Sequence, residues 1–215
     1  QHSNPVLENC IIRDNESEES GGGITCWNGS LTLENVIIAN NTAKGMMGMG
    51  GGAGGGIVMG ALETTSNLRN VLLVNNVASN NFGHGIEVDG GFASCAPLIL
   101  TNCILWNDSI NEISVGSLNN YNNASVTISY SDIQGGTNGV STTFGTLNWL
   151  GGNINSYPMF VDTANANYSF FSQSPCIDAG LDSIVTTLTD VYGHIRKWDG
   201  NNDGTSVVDM GPIEY

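Results

Sequence analysis

The chain has 215 residues, a formal charge of -15, and five Lys plus Arg against 20 Asp plus Glu, a balance that argues against nucleic-acid binding and against an anionic membrane surface, both of which need clustered cations. Its 29 glycines and 28 asparagines are poor helix formers, no apolar stripe at helical spacing lasts three turns, and no apolar run approaches the ~20 residues of a membrane helix. Strands and turns are left, and the regularly spaced Val, Ile and Leu clusters separate the chain from a disordered one.

The first predicted element is Leu7-Glu-Asn-Cys-Ile-Ile-Arg-Asp-Asn15. It recurs without gaps as Leu33-Glu-Asn-Val-Ile-Ile-Ala-Asn-Asn41, Leu68-Arg-Asn-Val-Leu-Leu-Val-Asn-Asn76 and Leu100-Thr-Asn-Cys-Ile-Leu-Trp-Asn-Asp108, with Ile128-Ser-Tyr-Ser-Asp-Ile-Gln-Gly-Gly136 as a degenerate fifth copy. The starts lie 26, 35, 32 and 28 residues apart, the spacing of solenoid repeats. A second element follows the Asn-rich end of a copy: Gly21-Gly-Gly-Ile24, Gly54-Gly-Gly-Ile57 and Gly83-His-Gly-Ile86. Each unit therefore reads as strand, Asn, strand, Asn-rich turn, glycines, strand: one coil. The predicted fold is all-β, a right-handed parallel β-helix of about five coils. Residues 1–136 form the repeat body, and 137–215 are the C-terminal coils and an aromatic-rich cap of the same domain.

Strand alternation puts Leu31 and Leu33 on one face, and a turn at Asn35 resets the phase so that Val36 and Ile38 face the same interior. Asn tolerates the left-handed backbone of such a corner, and its amide can bond the equivalent Asn one coil on. The predicted ladder is Asn9, Asn35, Asn70 and Asn102. Beside it run the interior columns Cys10, Val36, Val71, Cys103 and Ile12, Ile38, Leu73, Leu105. No coil buries this face alone, so stability comes from stacking. The start of the chain shows no capping segment, which predicts upstream coils or a second copy stacked there, the latter giving a filament. The run Lys44–Gly56, with three of the six Met, reads as a flexible Gly-rich turn loop or, more sharply, as a protruding loop suited to adhesion or assembly.

The paired Gly-Gly-x-Ile and x-x-Asn elements resemble those of secreted bacterial right-handed parallel β-helix proteins, the polymorphic outer-membrane proteins and related surface adhesins. The closing segment, Ser174-Pro-Cys-Ile-Asp-Ala-Gly180, Asp190, Gly193, Arg196, Asp199-Gly200 and Val208-Asp-Met-Gly-Pro-Ile-Glu-Tyr215, is similar to the ends of many such chains. The resemblance implies a secreted or cell-surface structural or adhesive protein, with itself or surface glycans as partner.

Other signals are sparser. An odd number of cysteines rules out a complete disulfide framework, and Cys10 and Cys103 fall where Val stands in other copies. Asp199-Gly-Asn-Asn-Asp-Gly-Thr205 spaces oxygen ligands like the start of a calcium loop, so Asp199, Asn201 and Asp203 are the candidate metal ligands, with calcium the only cofactor suggested; the carboxylate expected at position twelve is replaced by Met210. Catalysis on acidic glycans lacks the necessary cations. The alternative function, binding or cleaving a neutral glycan, would rest on Glu87 and Asp89, placed by alternation on an outer strand face, and on Glu112 near the equivalent place one unit later.

Overall fold

The computed structural model describes residues 3–45, 51–90, 95–116 and 123–215. Its regular structure is almost all strand, laid in parallel sheets, the arrangement of a parallel β-solenoid. The long sheet takes Val6–Arg13, Thr32–Ala39, Ser66–Val74, Leu98–Thr101, Ala124–Ser129 and Gly145–Trp149 in that order. Ile104–Trp106 and Asp132–Ile133 belong to the same sheet. A second sheet takes Ile24–Trp27, Ile57–Gly60, Ile86–Asp89, Ile113–Val115 and Val140–Ser141, and a third pairs the short strands Glu16–Ser17, Thr42–Ala43 and Val77–Ala78. Neighbours in each sheet are one repeat apart in sequence, which is what stacked coils require.

The register follows the sequence repeat. Leu7, Leu33, Leu68, Leu100, Ile128 and Trp149 stand opposite one another in turn. So do Ile12, Ile38, Leu73, Leu105 and Ile133. Asn9, Asn35, Asn70 and Asn102 have φ of 51°, 54°, 51° and 55°, a left-handed conformation Asn tolerates better than most residues. That single residue shifts the alternation by one, so Leu33 before it and Val36 and Ile38 after it all join one buried core. Ile57, Ile86 and Ile113, with Met59, Val88 and Val115, close the core from the second sheet. Each such side chain contributes about 1.5–3 kcal/mol on burial.

The run Lys44–Gly56 divides. Gly45 and Gly52 both donate backbone N–H groups to Glu19 O, at 3.2 and 3.0 Å. Ala53 to Gly56 are buried in the stack, bonded to neighbouring coils on both sides (Gly21 N to Ala53 O, 2.9 Å; Gly54 N to Phe82 O, 2.9 Å). Ala53 to Gly56 thus belong to the stack and not to the loop expected over Lys44–Gly56; Met46, Met47 and Met49 lie outside the described residues.

Val140–Ser141 and Gly145–Trp149 still belong to the stack, with Trp149 packed on the interior core, whereas the aromatic residues from Phe160 on lie against the outer face of the long sheet. Alternation that sends Ile38 inward sends Ile37 outward, and Ile37, Ala39, Leu72, Val74 and Ile104 form a second buried core with Phe160, Tyr168, Phe170, Cys176, Ile177, Met210 and Ile213. The antiparallel pair Phe160–Asp162 and Asn167–Phe170 brings in the aromatic rings, Phe160 edge-on to Tyr168 at 6.0 Å and stacked on Phe170 at 5.9 Å. A capping role at the open end was the sequence expectation for these rings. The physical reason for their position on the flank is the row of outward apolar residues in the long strands, which one polar face would otherwise leave exposed.

Candidate functional site

Two rows of asparagine cross the stack. In the row expected from sequence, Asn35 Nδ2 donates to Asn9 Oδ1 at 3.1 Å and Asn102 Nδ2 to Asn70 Oδ1 at 3.0 Å. Between Asn35 and Asn70 the row is interrupted: Asn35 Oδ1 and Asn70 Nδ2 are buried without a hydrogen bond. The C-terminal segment uses this row as its docking rail. Asn35 Nδ2 also donates to Thr187 Oγ1 (2.9 Å) and Thr189 O (3.0 Å), while Asn102 accepts from Leu181 N at 2.7 Å.

The second row is continuous, and sequence reasoning did not single it out. Asn15, Asn41 and Asn76 each direct both the backbone N–H and the side-chain Nδ2 to the next Oδ1, on Asn41, Asn76 and Asn107, over 2.8–3.1 Å. Asn41 and Asn76 spend their second amide hydrogen on Ile12 O and Ile38 O. These asparagines end the aligned copies, and the fourth copy turns one residue early, so Asn107 rather than Asp108 takes the position. The glycines face this row. A Cβ on Gly23 would come within 2.8 Å of Gly56 O and 3.1 Å of Asn41 Nδ2, one on Gly56 within 2.7 Å of Gly85 O, and one on Gly85 within 3.0 Å of both Asn107 Nδ2 and Glu112 O, so the backbone of the next coil, with the amide row beside it, leaves no room for a side chain before Ile24, Ile57 and Ile86.

Glu112 takes the glycine position in the fourth unit, since Ile113 pairs with Ile86. Its carboxylate accepts Asn107 N at 2.8 Å and Asn107 Nδ2 at 2.6 Å and terminates the row. Burial pushes its pKa up to about 8, with Asp108 adding to the rise and the two Asn107 donors opposing it. Glu87 and Asp89 alternate with core residues Ile86 and Val88 as expected, and Glu87 lies between Val58 and Ser114. All three acids are fully buried. This corrects the expected solvated outer face: Glu112 is fixed at the end of an amide row, apart in role from the Glu87 and Asp89 strand.

The candidate calcium residues share one loop. Asp199 accepts Asp203 N and Gly204 N, both at 3.0 Å, Asn201 Oδ1 accepts Asp203 N at 2.8 Å, and Asp203 Oδ1 accepts Thr205 N at 2.8 Å. These are Asx turns that satisfy the loop's own backbone. Among the described residues no three His, Cys, Asp or Glu side chains converge to hold a metal. All five cysteines are free thiols. Cys103 is buried, and its pKa is raised to about 12 by that burial.

The closing motif acquires a structural meaning. Arg196 Nη1 pairs with Glu214 at 2.9 Å and donates to Gly211 O at 3.1 Å, both side chains almost wholly buried. Asp209 accepts Asp178 N and Tyr215 N, each at 2.8 Å, and Asp190 accepts Tyr192 N and His194 N, each at 2.8 Å. Burial raises Asp209 to about 7 and Glu214 to about 8. Comparison of the chain with protein-family models, curated proteins and solved structures returned no match.

Proposed function

We propose that the chain is a structural and adhesive module, secreted or displayed at a bacterial surface, built as a right-handed solenoid of about five coils that associates end to end. Right-handed winding is the expected hand, because crossovers between parallel strands of one sheet are right-handed in ~98% of cases. The observation that carries association is the open edge of Gly145–Trp149, which among the described residues pairs on one side only. At the other end of the same sheet, Val6–Arg13 presents Val6 and Ile11, 61% and 47% exposed, as apolar groups such an edge can meet. Unpaired strand edges with apolar side chains are templates for another chain. Burial of Glu87, Asp89 and Glu112 favours a scaffold over a glycan-cleaving centre, since general acid–base work needs groups that reach substrate.

Electron microscopy and light scattering across a concentration series test this. Oligomers or filaments are expected, dissociated by Ile11→Lys, which places a charge on the edge strand; a strictly monomeric chain at ~100 µM, far above typical micromolar association, would overturn it.

A further inference from the structure

The C-terminal segment carries a surface that neither the coils nor the amide rows use. Within residues 188–215, Leu188, Tyr192, Ile195, Trp198 and Tyr215 expose between 45% and 87% of their area. Exposed apolar groups gathered on one face commonly mark interaction sites. His194, Ile195, Trp198, Glu214 and Tyr215, with Gly193, line an open groove of about 420 Å³, within the size range of small-ligand sites.

The groove is held in place by its backbone. Asp190 Oδ1 accepts Tyr192 N and His194 N at 2.8 Å, Asp190 Oδ2 accepts Glu214 N at 3.0 Å, and Asp209 Oδ2 accepts Tyr215 N at 2.8 Å. His194 Nδ1 lies 3.1 Å from Asp190 Oδ2, which fixes the ring and leaves Nε2 as the polar atom of a side chain 65% exposed. Rigid aromatic rings lose little entropy on binding.

Charge selects the ligand class. Glu214 is committed to Arg196, Asp190 to three backbone N–H groups and His194, and Lys197 to Asp182 at 2.6 Å. The carboxylates beneath the groove are thus spent internally and select no cation. A net charge of -15 repels anionic ligands. What fits is an uncharged molecule with an apolar face for Trp198 and Tyr215 and hydroxyls for His194 Nε2. We propose that this groove binds neutral saccharides, the sugar ring stacked on Trp198. The inference rests on the adhesive part of the proposed function and gives it a ligand.

Titration of the intact chain with neutral gluco-, manno- and xylo-oligosaccharides, read by calorimetry and tryptophan fluorescence, tests it, with tetramethylammonium and an oligouronate alongside. Saturable binding of a neutral oligosaccharide is expected, weakened at least ~10-fold in Trp198→Ala (about 1.4 kcal/mol) and largely kept in Trp198→Phe, with thermal stability unchanged in both. No binding across the neutral panel, binding indifferent to Trp198→Ala, or preference for tetramethylammonium or the oligouronate would overturn the assignment. Each of those results leaves the association experiment to stand or fall alone.

Discussion

Asn76→Leu is expected to destabilise the chain by about 3–6 kcal/mol. The side chain is fully buried and accepts Asn41 N and Asn41 Nδ2, both at 3.0 Å, while donating to Ile38 O and Asn107 Oδ1, both at 2.9 Å. Leucine matches its size but leaves Asn41 N–H and an Asn41 amide hydrogen unpaired in the interior, each costing ~1–3 kcal/mol, and removes the side-chain donor to Ile38 O. Asn148→Leu is the control. Asn148 is exposed and makes one 3.3 Å bond to Thr127, so its loss should stay within about 0.5 kcal/mol. Urea unfolding midpoints measure both; near-equal values would mean that the second amide row is incidental to stability.

The second large effect is a fall in stability as pH rises. Burial raises Asp132 to about 6, Asp209 to about 7, and Glu112 and Glu214 to about 8. Asp132 is held by Ser156 N and faces Cys176, while Glu214 and Asp209 face Arg196 together with Asp190 and Asp178. In each case the folded chain keeps a proton that the unfolded chain has released, so stability is full below about pH 4 and is lost as pH climbs through 6 to 8. His84, whose pKa burial lowers, acts weakly in the opposite sense near its ordinary value. The urea midpoint should therefore drop between pH 5 and pH 9 by the equivalent of roughly 2–5 kcal/mol. Glu112→Gln should flatten part of that slope. A midpoint that rises over the same range would contradict the burial of these carboxyls.

The interior columns were legible because stacking places equivalent residues of successive copies in register, so a repeat aligned by eye is already a contact map. The degenerate fifth copy reads the same way: Ser129 and Asp132 pair where Thr101 and Ile104 predict. The second amide row was not legible, although every member was in the aligned copies. Asn tolerates αL corners and also suits buried rows, and a sequence full of Asn does not say which one closes a hydrogen-bonded column. The glycines mark where coils approach most closely: Gly21, Gly54 and Gly83 have positive φ, and a Cβ on Gly22, Gly23 or Gly56 would meet the backbone of the next coil. The solvated face expected for Glu87, Asp89 and Glu112 is not found: alternation gives the side of a strand but not whether that side meets solvent, and Glu112, just before its strand, is held by Asn107. The flank could have been suspected from Ile37, Leu72 and Ile104, outward residues too apolar for water.

Asparagine amides run unbroken from Asn15 at the surface through the buried Asn41, Asn76 and Asn107 to the Glu112 carboxylate. Hydrogen exchange followed by NMR tests this row most directly. The backbone amides of Asn41, Asn76 and Asn107, together with their side-chain amide protons, are expected to exchange only through global unfolding, as slowly as the amides of Val36 and Leu73. Exchange of the Asn41 or Asn76 side-chain protons at the rate of surface loops would contradict it.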